Sequence, residues 1–233
     1  MARKEYRDQL ATLRTDVVLF GELVVERYED AIAAAEAGDL RAADRIVRGD
    51  DEINRRYLEL EGDCIDLIAH NQPVAGDLRL ITASFKILTD LERIADLAVN
   101  LAERTEYGSA IHPAVDIESL GMAAGEMVAD AVAAFEAGDA AACRAIAADG
   151  VEACRAVAVD DDTLDSDCEA TTERIIRELL AERATGDDTR ARIVAETTRG
   201  LLTVRDIERV GDHAVNIAAR TLYMLDSDDE LLY

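Results

Sequence analysis

Residues 90–104 read DLERIADLAVNLAER and residues 206–220 read DIERVGDHAVNIAAR, with nine of fifteen positions identical. Leu91, Ile94, Ala98 and Leu101 recur at three- and four-residue spacing in the first copy, as Ile207, Val210, Ala214 and Ile217 do in the second. That period lays one apolar stripe along a helix, whereas a strand would alternate every two residues. A second pair of copies lies upstream: DAIAAAEAGD at 30–39 and DAVAAFEAGD at 130–139 agree at eight of ten positions. Two repeats in the same order make the chain an internal duplication, with units over residues 1–107 and 114–226 and an acidic tail over 227–233. Between the units, Gly108-Ser109-Ala110-Ile111-His112-Pro113 is a short linker with a helix-stopping proline.

Each unit reads as three helices. Leu10, Leu13, Val17, Phe20 and Val24 form one face of the first; Gly38 stops it and Asp39 caps the next. The second helix carries Ile46, Ile53, Leu60, Ile65 and Ile68 and ends near Asn71-Gln72-Pro73, and the third spans Asp77 to Arg104. The second unit repeats this plan, with stops at Gly138 and at Gly186-Asp187-Asp188. The expected fold class is all-α: two tandem antiparallel three-helix bundles, six long helices in all. The offset between copies grows from 100 residues at the EAGD stop, to 111 between DDEIN (50–54) and DDTLD (161–165), to 116 at the ERxxD helices. Eleven extra residues therefore fall within the fifth helix, around 147–157, close to three whole turns, which lengthens a helix without rotating its downstream faces. The last five fall in the loop around Thr185-Gly186-Asp187.

Composition agrees. Of 233 residues 49% are hydrophobic, enough for a core, and 41 Ala against 13 Gly and 2 Pro suit helices rather than a turn-rich sandwich. Fifty acidic residues against 25 basic ones give a net charge of −25, which repels phosphate backbones and anionic lipid and argues against a nucleic-acid or membrane-surface binder. Lys stands only at positions 4 and 86, Asp (28) exceeds Glu (22), and the excess is spread over both halves. This pattern reads as a halophile's protein, hydrated in concentrated salt where the Debye length is about 3 Å. No apolar run follows Met1-Ala2-Arg3-Lys4, so neither a signal peptide nor direct membrane insertion is expected. Cys64, Cys143, Cys154 and Cys168 form no CxxC and are expected to be reduced, buried residues of a cytoplasmic protein.

The chemistry lies on the third and sixth helices. Glu92, Asp96 and Asn100 are spaced at i, i+4 and i+8 on the face away from the apolar stripe, and Glu208, Asp212 and Asn216 repeat the pattern. Like charges at i, i+4 cost a helix roughly 0.2–0.5 kcal/mol. Two readings fit: an ordinary solvated acidic face, or oxygen donors one turn apart that share a cation with ligands from a neighbouring helix. Asp50 and Asp51 on the second helix, and Asp161 and Asp162 on the fifth, are the suppliers within reach, with Asp51 and Asp162 counted in the candidate metal set. Asp90 with Arg93 and Asp206 with Arg209 read as i, i+3 ion pairs, and His213, whose counterpart is Leu97, as packing or surface. No ExxH pair, phosphate loop, nucleophile elbow or HExxH occurs, which weighs against a di-iron oxidase or a familiar hydrolase.

Leu13-Arg14-Thr15, Gly49-Asp50-Asp51-Glu52-Ile53-Asn54, Gln72-Pro73-Val74-Ala75-Gly76-Asp77-Leu78-Arg79 and the two ERxxD helices together resemble the PhoU family of phosphate-uptake regulators. The resemblance implies a six-helix fold and a cytoplasmic, non-enzymatic adaptor that restrains a phosphate ABC transporter and its signalling when phosphate is ample. It also implies as partners the transporter's ATPase subunit, a sensor kinase and a second copy in a homodimer. Divalent or iron-type metal cations are implied at Glu92 with Asp96 and Glu208 with Asp212, with Asn100 and Asn216 as weaker additions. Ala95 departs from the family's ERxGD pattern, as does the lengthened fifth helix. The competing readings are a metal-dependent hydrolase using the acidic stripes and a generic helical scaffold.

Overall fold

The computed structural model describes residues 2–106, 112–138, 144–181 and 187–226. Within them the chain forms seven helices and no strand: α1 (Ala2–Ala37), α2 (Leu40–Arg48), α3 (Asp50–Asn71), α4 (Ala75–Glu106), α5 (Ile117–Ala137), α6 (Arg144–Ala181) and α7 (Asp187–Asp226). The helix ends obey local chemistry. Gly38 turns left-handed at φ +62° after α1, and Asp39 Oδ1 accepts the backbone N–H groups of Arg41 and Ala42 at 2.9 and 3.1 Å. Asp116 caps α5 in the same way through the Ser119 N–H at 3.1 Å. Residues 107–111, 182–186 and the acidic tail at 227–233 lie outside the described residues.

Helices α2 and α3 are the second helix of the six-helix plan, interrupted at Gly49. Gly49, at φ −78° and ψ −2°, donates its N–H to the Arg45 and Ile46 carbonyls at 3.0 and 3.2 Å, and its own carbonyl accepts from Glu52 at 3.2 Å. Glycine is about 1 kcal/mol poorer than alanine in a helix interior. Asp50, Asp51 and Glu52 then supply the negative charge that a helix N-terminus favours. Arg27 of α1 fills the break, donating to the Ile46 carbonyl, and a Cβ on Gly49 would lie 3.0 Å from its guanidinium. The counterpart α6 runs on unbroken. Downstream of its lengthened stretch the register is kept: Ile53, Leu60 and Cys64 are buried, and so are Leu164, Thr171 and Ile175, each 111 positions later.

The predicted stripes form the core: Leu91, Ile94, Ala98, Ile207, Val210, Ala214 and Ile217 are fully buried. Helix α4 packs on α1, α2 and α3, helix α7 packs on α5 and α6, and the bundles join where α4 meets α7 and α1 meets α5. The second junction is reciprocal. A Cβ on Gly21 would come within 2.8 Å of Val132, and one on Gly121 within 2.4 Å of Ile32, so equivalent glycines 100 positions apart admit equivalent branched side chains. Polar contacts also cross between bundles, Arg104 to Asp206 and His213 Nδ1 to Asp90 Oδ1 at 2.9 Å.

Several expectations are corrected. Ile65 and Ile68 are 54% and 40% exposed, while Cys64 and Leu67 fill the core beneath them; positions 53, 60, 64 and 67 keep one face, and a one-residue step turns a side chain about 100° away. Asp90 pairs with His213 rather than Arg93, so His213 is a link between bundles and not mere packing. Arg209 does approach Asp206, at 4.0 Å, but Arg104 is the nearer partner. Cys64 and Cys168 are buried free thiols, and the side chains of Cys143 and Cys154 lie outside the described residues. No helix among the described residues is long and apolar enough to cross a membrane.

Candidate functional site

The acidic stripes do not look out onto open solvent along their whole length. The start of α3 lies along α4, and the matching part of α6 lies along α7, so each stripe borders a seam between two helices. In the first seam Asp50, Glu92, Asp96 and Asn100 are half-buried and Asp51 is exposed. In the second, Asp161 and Asn216 are half-buried, while Asp162, Asp165, Glu208 and Asp212 are exposed. Asp50 and Asp161 are thus the residues turned inward, and Asp51 and Asp162 stand one position further round the helix.

The first seam carries its own cations. Arg27 Nη2 lies 3.8 Å from Asp50 Oδ1, and Asn54 donates to Asp50 Oδ2 at 2.7 Å. Arg93 reaches Glu92 at 3.5 Å and Asp96 at 3.2 Å. Burial raises the Asp50 carboxyl above its ordinary range, Arg27 opposes this, and Asp96 adds to it. Glu92 is raised first by burial and then by Asp96, against the pull of Arg93.

The second seam has no such balance. Burial pushes Asp161 up to about 6, helped by Asp165, Asp212, Asp162 and Glu208 in that order. Asp165 is raised by burial, then Asp212 and Asp162, and Glu208 by burial, then Asp165 and Asp212, with Arg205 opposing. Among the described residues none of Asp161, Asp165, Glu208 or Asp212 forms an ion pair. Asp161 Oδ1 is buried without a hydrogen-bond partner. Asp50 Oδ1 also lacks a hydrogen bond but has Arg27 beside it.

Asn100 and Asn216 continue the stripes one turn further and make no hydrogen bond among the described residues. No three His, Cys, Asp or Glu side chains among the described residues converge closely enough to hold a metal ion as they stand. The donors suit a hard cation nonetheless, since all are oxygens, and the unpartnered Asp161 oxygen lies against α7 at Gly211, 2.9 Å from the position of a Cβ there. Arg27 and Asp165 border the seams without having been singled out by the sequence pattern. Asp165 stands four positions after Asp161, the same signal that marks Glu92 with Asp96, whereas Arg27 comes from a helix distant in sequence.

A family model described as "PhoU domain" matches residues 17–105 and 117–221. The "Phosphate-specific transport system accessory protein PhoU homolog" of Xylella fastidiosa strain 9a5c is 31% identical over 231 residues, covering 98% of this chain and 89% of that protein. The "Phosphate-specific transport system accessory protein PhoU" of Escherichia coli K12 is 26% identical over 228 residues, covering 97% and 87%. Among solved structures, the crystal structure of PhoU from Pseudomonas aeruginosa superposes with a TM-score of 0.82 at 27% identity, covering 96% of this chain and all of that one.

Proposed function

The chain belongs to the PhoU domain family, and from that membership we propose that it is a cytoplasmic negative regulator of phosphate uptake, acting as an adaptor on a phosphate ABC transporter and its signalling. The observation that carries this reading is the match along nearly the whole chain to relatives named as accessory proteins of the phosphate-specific transport system. The helical architecture supports it: two packed helical bundles present long faces, which suits docking better than substrate enclosure. The transporter's ATPase subunit is the primary partner, with a sensor kinase and a second copy of the chain as further ones.

Cations belong to this reading as well. The carboxylate pairs Glu92 with Asp96 and Glu208 with Asp212 would take up a hard divalent ion once their side chains close on it, and such an ion supplies positive charge that neutralises an acidic surface before it meets a partner. The hydrolase alternative is weaker, because the seams gather carboxylates, arginines and amides with no nucleophile among them, and the relatives carry accessory-protein names.

The test is co-purification. The full-length chain, tagged and expressed in phosphate-replete cells, should retain the ATPase subunit of the phosphate transporter through a wash at the host's ionic strength. Recovery of that subunit at no more than the level of an untagged control would contradict the adaptor reading.

A further inference from the structure

Helix α3 carries a second apolar stripe, on its outer side. Ile53, Leu60, Cys64 and Leu67 are buried. Leu58, Gly62, Ile65 and Ala69 each stand two positions, or about 200°, from one of these. Leu58 is 61% exposed, and Ile65, Ile68 and Ala69 are exposed beside it. Steps of four, three and four residues make the kind of seam that one helix offers to another, here about 17 Å long. Gly62 sits in the middle of it. A Cβ there would meet no atom within 4 Å, so the fold does not call for glycine, and glycine weakens a helix interior. What it does provide is a close approach for a backbone coming from outside. The second bundle has no such stripe. At the offset of 111, the exposed Glu169 and Glu173 stand in place of Leu58 and Gly62, and Glu173 pairs with Arg177 at 3.6 Å. That is an ordinary solvated helix face, so duplication alone does not account for the stripe on α3.

Charge says what would cover it. One step round the helix from Gly62 and Ile65 stand Asp63 and Asp66, which line an open cleft of about 970 Å3 together with Glu5 and Asp8 of α1. Among the described residues none of these four carboxylates forms an ion pair, and Lys4 is the one lysine or arginine lining the cleft. Helix α3 as a whole holds seven acids against two arginines, so a second copy of this chain laid along it would meet like charge. We infer that the outer face of α3 is a docking groove for a basic amphipathic helix of a partner protein. The apolar side of that helix lies over Leu58, Gly62 and Ile65, and its lysines or arginines reach Asp63, Asp66 and Asp8. The inference rests on the adaptor reading for the existence of such a partner, and it gives the adaptor a surface to grip with, on the helix stretch that follows the first acidic seam.

The probe is a labelled synthetic peptide of three heptads, with Leu at its a and d positions and Lys at e and g. It is titrated by fluorescence anisotropy with the full-length chain in about 0.1 M and about 1 M salt. Wild type should bind it, and should not bind the same peptide with Glu at e and g. Gly62→Gln fills open space and suits a helix better, so it should leave the melting temperature equal or higher while weakening binding roughly tenfold or more. Leu58→Glu with Gly62→Glu, which copies the face of α6, should abolish binding. Asp63→Asn with Asp66→Asn should weaken it by about tenfold at the lower salt and by much less at the higher. Leu180→Gln, on an exposed residue of α6, should bind as wild type does. Equal binding by every variant would mean diffuse attraction to an acidic protein, and overturns the inference, as does a wild type that binds neither peptide or both alike. A chain that self-associates and is dispersed by Gly62→Gln puts a second copy on the stripe and also overturns it. Failure of the peptide titration in a chain that still restrains phosphate uptake removes the docking groove and leaves the regulatory reading intact.

Discussion

Asp161 owes its raised carboxyl first to burial and then to the four acidic neighbours around it, with no arginine among the described residues to offset them. Its folded-state value near 6 stands above the ordinary 3.8, so the stability it contributes is complete below about pH 4 and lost as pH rises through about 6. In chelator-treated protein the melting temperature should therefore step down between pH 4 and 7. Asp161→Asn should flatten that step and gain roughly 1 kcal/mol at pH 7, after allowance for solvent screening of a partly exposed group; an unchanged pH profile in urea melts would contradict it. At this scale Glu92, Asp96, Glu208 and Asp212 were legible because a repeated i, i+4 pattern is local information. Which of Asp50 and Asp51 turns inward was not, since it depends on how α3 lies against α4. Arg27 was hidden for the same reason, although the mismatch with Met127 stood in the repeat.

At the scale of elements, the α1–α5 junction depends on what glycine leaves out. Gly121→Val would drive methyl groups into Ile32, whose Cδ1 already lies 2.4 Å from the position of a Cβ. Overpacking of that kind should cost about 1–3 kcal/mol in denaturant unfolding, and a loss below a few tenths would mean that α1 and α5 part freely. Leu91→Ala in α4 opens a cavity beneath a fully buried position and should cost about 2–5 kcal/mol by the same measurement. Helix ends were readable from Gly38-Asp39 and Asn71-Gln72-Pro73 because caps are chemistry between near neighbours. The break at Gly49 was not readable, because a lone glycine inside a helical pattern is tolerated until a partner such as Arg27 exploits it.

The whole molecule carries −25 charges on 233 residues, and its self-repulsion should grow as salt is withdrawn. Dilution from molar salt to about 0.1 M lengthens the Debye length from about 3 to about 10 Å, and the melting temperature should fall with it; a salt-independent value would reject the halophilic reading. Duplication made the architecture legible from sequence, since one helical pattern read twice implies two like bundles. The inequality of the two seams needed three dimensions, because Arg27 reaches Asp50 from α1 while Arg209, the counterpart of Arg93, lies against Asp206. The central claim, restraint of phosphate uptake, is met most directly by phosphate uptake itself. In phosphate-replete cells lacking this gene, labelled-phosphate uptake should be elevated and should return to the parental rate when the full-length chain is restored. Uptake unaffected by deletion or by restoration would contradict the account.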